Sequence, residues 1–172
     1  MTTTTAYHQI GKFIALFQHV EQGINEILLL LTKADSEAIR ILINELEYSK
    51  RLKAADVMFS RFIDLMPETD VAAKAEFHKL MTSLNKLGER RNDIVHSSYT
   101  NWVNIEGRIG LIRENSKLRG KKGIREEEEE ELLPEAFSTD FENLSSALHS
   151  LEKFRLRIID WLYPELQSEP GV

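Results

Sequence analysis

The sequence has no cysteine and little proline or glycine, with 4 Pro and 8 Gly among 172 residues. Without thiols, the chain can form neither a disulfide framework nor a thiolate zinc site. Few turn-forming residues beside 42% hydrophobic and 29% charged residues favour a helical globule over a turn-rich sandwich. The longest apolar run, at 27–31, is too short to span a bilayer, and the first residues lack a secretory signal pattern. We therefore expect a single cytoplasmic domain without membrane contact.

Charge is unevenly distributed along the chain, although the net charge of -6 argues against a generally basic nucleic-acid surface. Cations dominate 107–125, where Glu114 is the single acid, and six glutamates follow at 126–131. We interpret the basic stretch as a guide for an RNA backbone or as a solvated loop that the adjacent glutamates balance. The glutamates indicate the solvated start of a helix, where negative charge suits the helix dipole.

Apolar residues at three- and four-residue steps predict a series of amphipathic helices. The first covers about 5–33, and the second region, at about 35–65, is either one kinked helix or two helices divided near Ser49. A third helix is capped by Asp70, and the last helix begins at about 138–140.

The residues between the third and the last helix have a different pattern. β-Branched and aromatic residues separated by glycines predict irregular structure or a short β-hairpin, and a mobile loop is expected at about 116–123. The sequence therefore predicts one all-α domain over 1–172. It is an antiparallel bundle of four to five helices with an irregular or hairpin insertion at about 100–134 before the last helix.

Glu21 interrupts the apolar stripe of the first helix. A carboxylate on an apolar face costs free energy unless it is paired. Glu21 is therefore either a partly exposed residue at the edge of the core or the partner of a cation from another helix.

The densest polar chemistry lies at 89–99, near the end of the third helix. Asn92 and His96 are four residues apart and share a helix face, so the amide can orient the imidazole. Arg91 lies about 140° from His96 around the axis, within reach of a long side chain. An imidazole that moves a proton beside a guanidinium that holds phosphate oxygens suits phosphodiester chemistry. Spacing alone favours a simpler alternative, in which Arg91 reaches solvent and His96 ends the helix.

The hexapeptide at 91–96 reads Arg91-Asn92-Asp93-Ile94-Val95-His96. Late in a helical bundle, it resembles the signature of HEPN domains (higher eukaryotes and prokaryotes nucleotide-binding), an arginine and a histidine separated by four to six residues. The resemblance implies a helical homodimer in which the two motifs form a composite cleft. Many members are metal-independent endoribonucleases of toxin–antitoxin or other defence systems, so it also implies an RNA substrate, no cofactor and an antitoxin protein as a further partner.

The resemblance assigns Arg91 and His96 as the catalytic pair, Asn92 as the orienting residue and Glu21 as an acid near the cleft. The implied reaction is attack of the RNA 2′-hydroxyl on the adjacent phosphate, leaving a cyclic phosphate without any metal. The residues expected to contact the substrate are aromatic or basic: Tyr99, Arg90, Lys117, Arg119, Lys121 and Lys122.

Three features leave alternatives open. A toxin subgroup of the family has a tyrosine two residues after the histidine, where this chain has Ser98, with Tyr99 one position later. Assignment to that subgroup is therefore left open. Tyr99 is either a base-stacking contact or a core or interface aromatic residue. The domain itself is either an endoribonuclease, a non-catalytic module that binds RNA, nucleotide or a partner protein, or a purely structural dimer.

Overall fold

A computed structural model of the chain describes residues 5–66, 70–119 and 122–167. The elements in chain order are helices α1 (Ala6–Thr32), α2 (Ser36–Asn44), α3 (Tyr48–Leu65) and α4 (Ala72–Val95), strands β1 (Ser98–Val103), β2 (Ile109–Arg119) and β3 (Ile124–Leu132), and helix α5 (Ser138–Leu162). Short 3-10 turns at Pro134–Phe137 and Pro164–Gln167 precede and follow α5. None of the helices in these described ranges is long and apolar enough to cross a membrane.

The prediction of an all-α bundle with a short insertion is wrong, because a three-stranded antiparallel sheet is formed by strands between residues 98 and 132. Its strand order is β1-β2-β3, and β2 alone has 11 residues. The mobile loop expected from Ser116 is also wrong over its first part, since β2 extends to Arg119. Pairing with two neighbours gives the backbone groups of β2 hydrogen-bond partners that an isolated hairpin would not supply.

The glutamate run forms β3 rather than the start of a helix, so that prediction is also wrong. Burial alternates along the strand, with Glu126, Glu128 and Glu130 half-buried and the glutamates between them exposed. Cα pairing places Glu130 opposite Arg113 and Glu126 opposite Lys117. Opposite charges across a strand pair stabilise it, and here they outweigh the low strand propensity of glutamate.

The predicted helices are close to those observed. α1 and α5 begin and end near their expected positions, and the region at 35–65 divides into two helices. The side chain of Asp35 caps α2. Helix α3 follows Glu47 without a side-chain cap and already includes Ser49, so the division lies just before that residue. Asp70 accepts a hydrogen bond from the backbone N–H of Ala72 at 2.9 Å, which confirms its predicted position before α4.

The chain divides into two compact units, each with its own core. The sheet unit comprises Met1–Phe17 and Glu89–Leu144, and the helical unit comprises Gln18–Gly88 and Ser145–Val172. The largest buried side chains of the sheet unit are Phe13, Phe17, Ile94, Leu111, Leu132, Phe137 and Leu144.

Three phenylalanines form the centre of the helical unit. The rings of Phe59 and Phe77 stack with centroids 4.1 Å apart, and Phe154 meets them edge-on at 5.5 and 5.0 Å. Such offset and edge-to-face pairs add stability beyond the burial of their area. Helices α3, α4 and α5 each contribute one of these rings.

Gly88, within α4, allows Tyr48 to pack against the helix backbone. A Cβ atom at Gly88 would lie 2.5 Å from Cε1 of Tyr48. The ring cannot easily move away, because the Tyr48 hydroxyl donates to the carbonyl of Leu84 at 2.9 Å. The absence of a Cβ atom at Gly88 therefore lets the Tyr48 ring lie directly against the backbone of α4.

We predict that Gly88→Ala destabilises the protein by about 1 to 3 kcal/mol, through overpacking against Tyr48. This reverses the usual gain of up to about 1 kcal/mol from alanine within a helix. Gly11→Ala is the matched control, because its Cβ meets nothing within 4 Å. Chemical denaturation should show Gly88→Ala below and Gly11→Ala at or above the wild type. Equal stability of the two variants would contradict the packing argument.

Candidate functional site

The 91–96 segment lies at the end of α4, where the following residues complete the last turn. The hydrogen bonds that do so run from the His96 N–H to the carbonyl of Asn92 at 2.9 Å, from Ser97 Oγ to that of Asp93, and from the Tyr99 hydroxyl to that of Ile94 at 2.7 Å. These bonds satisfy carbonyls that otherwise lack partners at a helix C-terminus. The end of α4 is therefore fixed by local contacts on both sides of His96.

Tyr99 is half-buried in β1, and its hydroxyl serves this helix end. Burial raises the pKa of Tyr99, although the charges of Arg113 and Arg90 oppose the shift. The phenol therefore keeps its proton and its hydrogen bond at neutral pH. The contact places Tyr99 in a structural role, while base stacking by its ring stays a prediction.

Arg91 differs from the other arginines of the sheet unit. Its Nη1 donates to Oδ1 of Asn92 at 3.2 Å, and its Nε is buried without a hydrogen-bond partner among the described residues. Each of the other arginines with described side chains in this unit pairs with a carboxylate: Arg90, Arg108, Arg113 and Arg125. Buried donors without partners are uncommon in native proteins. Arg91 therefore keeps most of its donors free of protein anions.

Asn92 lies beside Arg91 in this arrangement. Its side-chain oxygen accepts from the guanidinium, and the side chain of His96 is exposed to solvent. The structure thus brings Asn92 and Arg91 together, and the predicted contact between Asn92 and the imidazole stays a prediction.

A hydrogen-bonded network of charged and polar side chains contacts residues on both sides of the 91–96 segment. Arg90 donates to Glu130 at 2.8 Å and to Asp140 at 3.0 Å. Arg113 donates through Nε to the same Glu130 at 2.7 Å and through Nη1 to Ser97 Oγ at 3.1 Å. Burial lowers the pKa of Arg90, but its bonds to the two carboxylates raise it more, so its pKa lies above the ordinary value. We call these five residues the bracket network.

Arg113, one of the cations of the basic stretch at 107–125, is buried in the sheet unit. Its residue is 5% exposed, and it is the only buried charged residue in the described parts of the chain. The signal in the sequence is an arginine two strand positions from the buried Leu111, on the same face. That signal has meaning only once β2 and β3 are known to be strands.

Two of the expected substrate-binding cations, Arg90 and Lys117, have carboxylate partners within the protein. Arg90 belongs to the bracket network, and Lys117 pairs with Asp93 at 2.8 Å and with Glu128 at 3.3 Å. The hydrogen bond to Asp93 is the main cause that raises the pKa of Lys117. Lys122 is exposed, while Lys121 and the side chain of Arg119 lie outside the described residues.

Glu21 belongs to the helical unit and meets a cation there. Its carboxylate lies 3.8 Å from Nη1 of Arg51, and Nε of the same arginine donates to the carbonyl of Leu46 at 2.8 Å. This confirms that Glu21 pairs with a cation from another helix. The role of Glu21 as an acid near the catalytic cleft stays a prediction. Burial, with a further contribution from Glu21, raises the pKa of the Tyr48 hydroxyl.

A polar groove of about 670 Å³ adjoins His96 on the sheet. Its walls combine the histidine with small polar residues, one arginine and four glutamates: His96, Ser98, Asn115, Ser116, Arg125, Glu114, Glu127, Glu128 and Glu129. Arg125 pairs with Glu127, so the remaining glutamates leave the groove acidic. An acidic groove repels a phosphate backbone, and Arg91 is not among the described residues that line it.

Comparison of the chain with protein-family models, with curated proteins and with solved structures gave no match. The resemblance of the 91–96 segment to HEPN domains therefore depends on its residues and on their place at the end of α4. Within the described ranges, no group of three or more His, Asp or Glu side chains is arranged to hold a metal ion.

We predict that stability falls in acid through Glu130. Burial raises its pKa, but Arg90 and Arg113 lower it more, to below the ordinary 4.5. The folded state therefore releases this proton more readily, so the contribution is present above about pH 4.5 and is lost as pH falls through the lower folded pKa. The Tm of the wild type should drop more steeply below pH 4.5 than that of Glu130→Gln.

Glu131→Gln is the matched control for this measurement, because Glu131 is the next residue of β3 and is exposed. Its Tm should follow the wild-type dependence on pH. Parallel curves for the wild type and Glu130→Gln would contradict the assignment of the acid-sensitive contact to Glu130.

Proposed function

We propose that the protein is a metal-independent endoribonuclease of the HEPN type, which works as a homodimer in toxin or defence biology. The observation that carries this proposal is the free guanidinium of Arg91 five residues before an exposed histidine. In a unit where carboxylates pair with Arg90, Arg108, Arg113 and Arg125, the hydrogen-bond partner of Arg91 among the described residues is a neutral amide.

Arg91 is suited to hold a phosphate. A guanidinium has five N–H donors, and Asn92 uses one of them. The bond to Asn92 orients the planar group, and the free donors of its outer nitrogens remain for phosphate oxygens. In the transition state these donors stabilise the charge that develops on the nonbridging oxygens.

His96 supplies the proton transfer. Its imidazole is exposed directly after the last residue of α4, and the bonds around the helix end fix its backbone. In the proposed step the 2′-oxygen forms a bond to phosphorus as it loses its proton, and the bond from phosphorus to the 5′-oxygen breaks as that oxygen gains a proton. The products are a 2′,3′-cyclic phosphate and a 5′-hydroxyl, and an imidazole near neutral pH can serve such transfers.

The dimer follows from where the two side chains start on the helix. The backbone bond from His96 to Asn92 continues the helical pattern, so Arg91 and His96 begin about 140° apart around the axis. We therefore propose that Arg91 of one chain works with His96 of the other, across an interface formed by the ends of two α4 helices.

We predict that the purified protein cleaves single-stranded RNA in the presence of a chelator and leaves cyclic phosphate ends. His96→Ala and Arg91→Ala should each lower the rate at least ~100-fold, through lost proton transfer and lost charge stabilisation respectively. His149→Ala and Arg61→Ala are matched controls, since both residues are exposed in the helical unit. Cleavage that survives both motif substitutions would remove this mechanism.

A second candidate function is a non-catalytic module that binds a partner protein. It is favoured by the carboxylate partners of Arg90 and Lys117, because a protein that binds RNA by counterion release needs unpaired cations. The two functions are distinguished by incubating RNA with the protein at concentrations where sedimentation shows a dimer. A dimer that neither binds nor cleaves RNA supports the module.

A further inference from the structure

Glu130 connects the two sides of the 91–96 segment through its hydrogen bonds. Its carboxylate accepts from Arg90, the residue immediately before Arg91, at 2.8 and 3.1 Å. It also accepts at 2.7 Å from Arg113, which in turn donates to Ser97, the residue immediately after His96. A single side chain of β3 therefore contacts the start of the segment directly and its end through one intermediary.

We propose that Glu130 is a positioning residue, which fixes the last turn of α4 and thereby the directions in which Arg91 and His96 leave it. The proposal rests on the endoribonuclease function proposed above, and Glu130 itself contacts neither the substrate nor the reacting atoms in it.

The connection at the His96 side passes through the hydroxyl of Ser97. This hydroxyl donates to the carbonyl of Asp93 and accepts from Nη1 of Arg113 at 3.1 Å. A shift of Arg113 is therefore transmitted to the last turn of α4. Arg113 itself has little freedom, because its buried charge needs Glu130, and its other carboxylate, Glu128, lies 3.9 Å away.

The connection at the Arg91 side has a second support. Asp140 accepts from Arg90 at 3.2 and 3.0 Å, on the edge of the guanidinium that includes Nε. Arg90 therefore keeps a carboxylate when Glu130 is neutralised, and the helix end stays attached to α5. What Glu130 adds is the coupling of Arg90 to Arg113, since charge-assisted bonds to a shared carboxylate fix both guanidiniums in one arrangement.

The test compares Glu130→Gln with Glu131→Gln in the full-length protein. Glutamine preserves the shape of the side chain but removes the charge that two arginines share, whereas Glu131 is exposed on the same strand. We expect Glu130→Gln to lower kcat at least ~10-fold, as small misplacements of reacting groups do. KM should stay within ~3-fold because the phosphate contacts of Arg91 remain. Glu131→Gln should match the wild type in both constants.

A second readout does not depend on RNA cleavage. The side-chain resonances of His96 and of the Arg91 guanidinium, measured by NMR without substrate, should shift in Glu130→Gln and stay in place in Glu131→Gln. If the wild type cleaves no RNA but these shifts occur, the endoribonuclease proposal fails while the positioning contact stands. If Glu130→Gln leaves the resonances and kcat unchanged, Glu130 has no positioning role.

Ser97→Ala provides a variant that leaves both carboxylates of the bracket network in place. It removes the hydroxyl between Arg113 and α4, so it should shift the His96 resonances in the same direction as Glu130→Gln. Combined with Glu130→Gln, it should add little further shift, because both changes break one path. If Glu130→Gln does not fold, Ser97→Ala alone decides, and an unchanged His96 signal there overturns the proposal.

Discussion

The buried charge of Arg113 is the constraint on which the sheet unit depends. With 5% of the residue exposed, the guanidinium has lost most of its water and is stable only beside a carboxylate. Glu130 supplies that carboxylate from the neighbouring strand at 2.7 Å. A shift of β3 by one residue would bring another glutamate of the run opposite Arg113, but it would turn the buried Leu132 to the exposed face. Leu132 therefore sets the register of the sheet, and the glutamates of β3 supply the carboxylate that the buried charge requires.

The same requirement separates two neighbouring arginines of α4. Consecutive residues of a helix lie about 100° apart around its axis, so Arg90 and Arg91 face different surroundings. Arg90 pairs with Asp140 and Glu130, whereas Arg91 hydrogen-bonds, within the described ranges, to the amide of Asn92. In a unit with so many glutamates, a cation outside their reach keeps its charge for an external anion. The placement of Arg91, more than its residue type, is what supports phosphate binding.

The sequence predicts what depends on neighbouring residues and misses what depends on distant ones. The helices follow from apolar spacing and from caps such as Asp70, all within a few residues. Six consecutive glutamates have low strand propensity, and their alternate burial arises only from Arg113 and Lys117 on another strand. The same distinction between local and distant contacts applies to the candidate site. The 91–96 segment is contiguous and could be identified from its spacing, whereas the cation beside Glu21 depends on how α3 packs.

Under the proposed function, the glutamates near His96 restrict how RNA reaches the site. The groove beside the imidazole includes Glu114 and Glu129, which repel a phosphate backbone. Arg91 attracts the phosphate from a position about 140° around α4. One chain therefore has its proton-transfer group on a surface that repels the substrate and its phosphate ligand on another. Two copies resolve this conflict, because the imidazole of one chain can then lie beside the free guanidinium of the other.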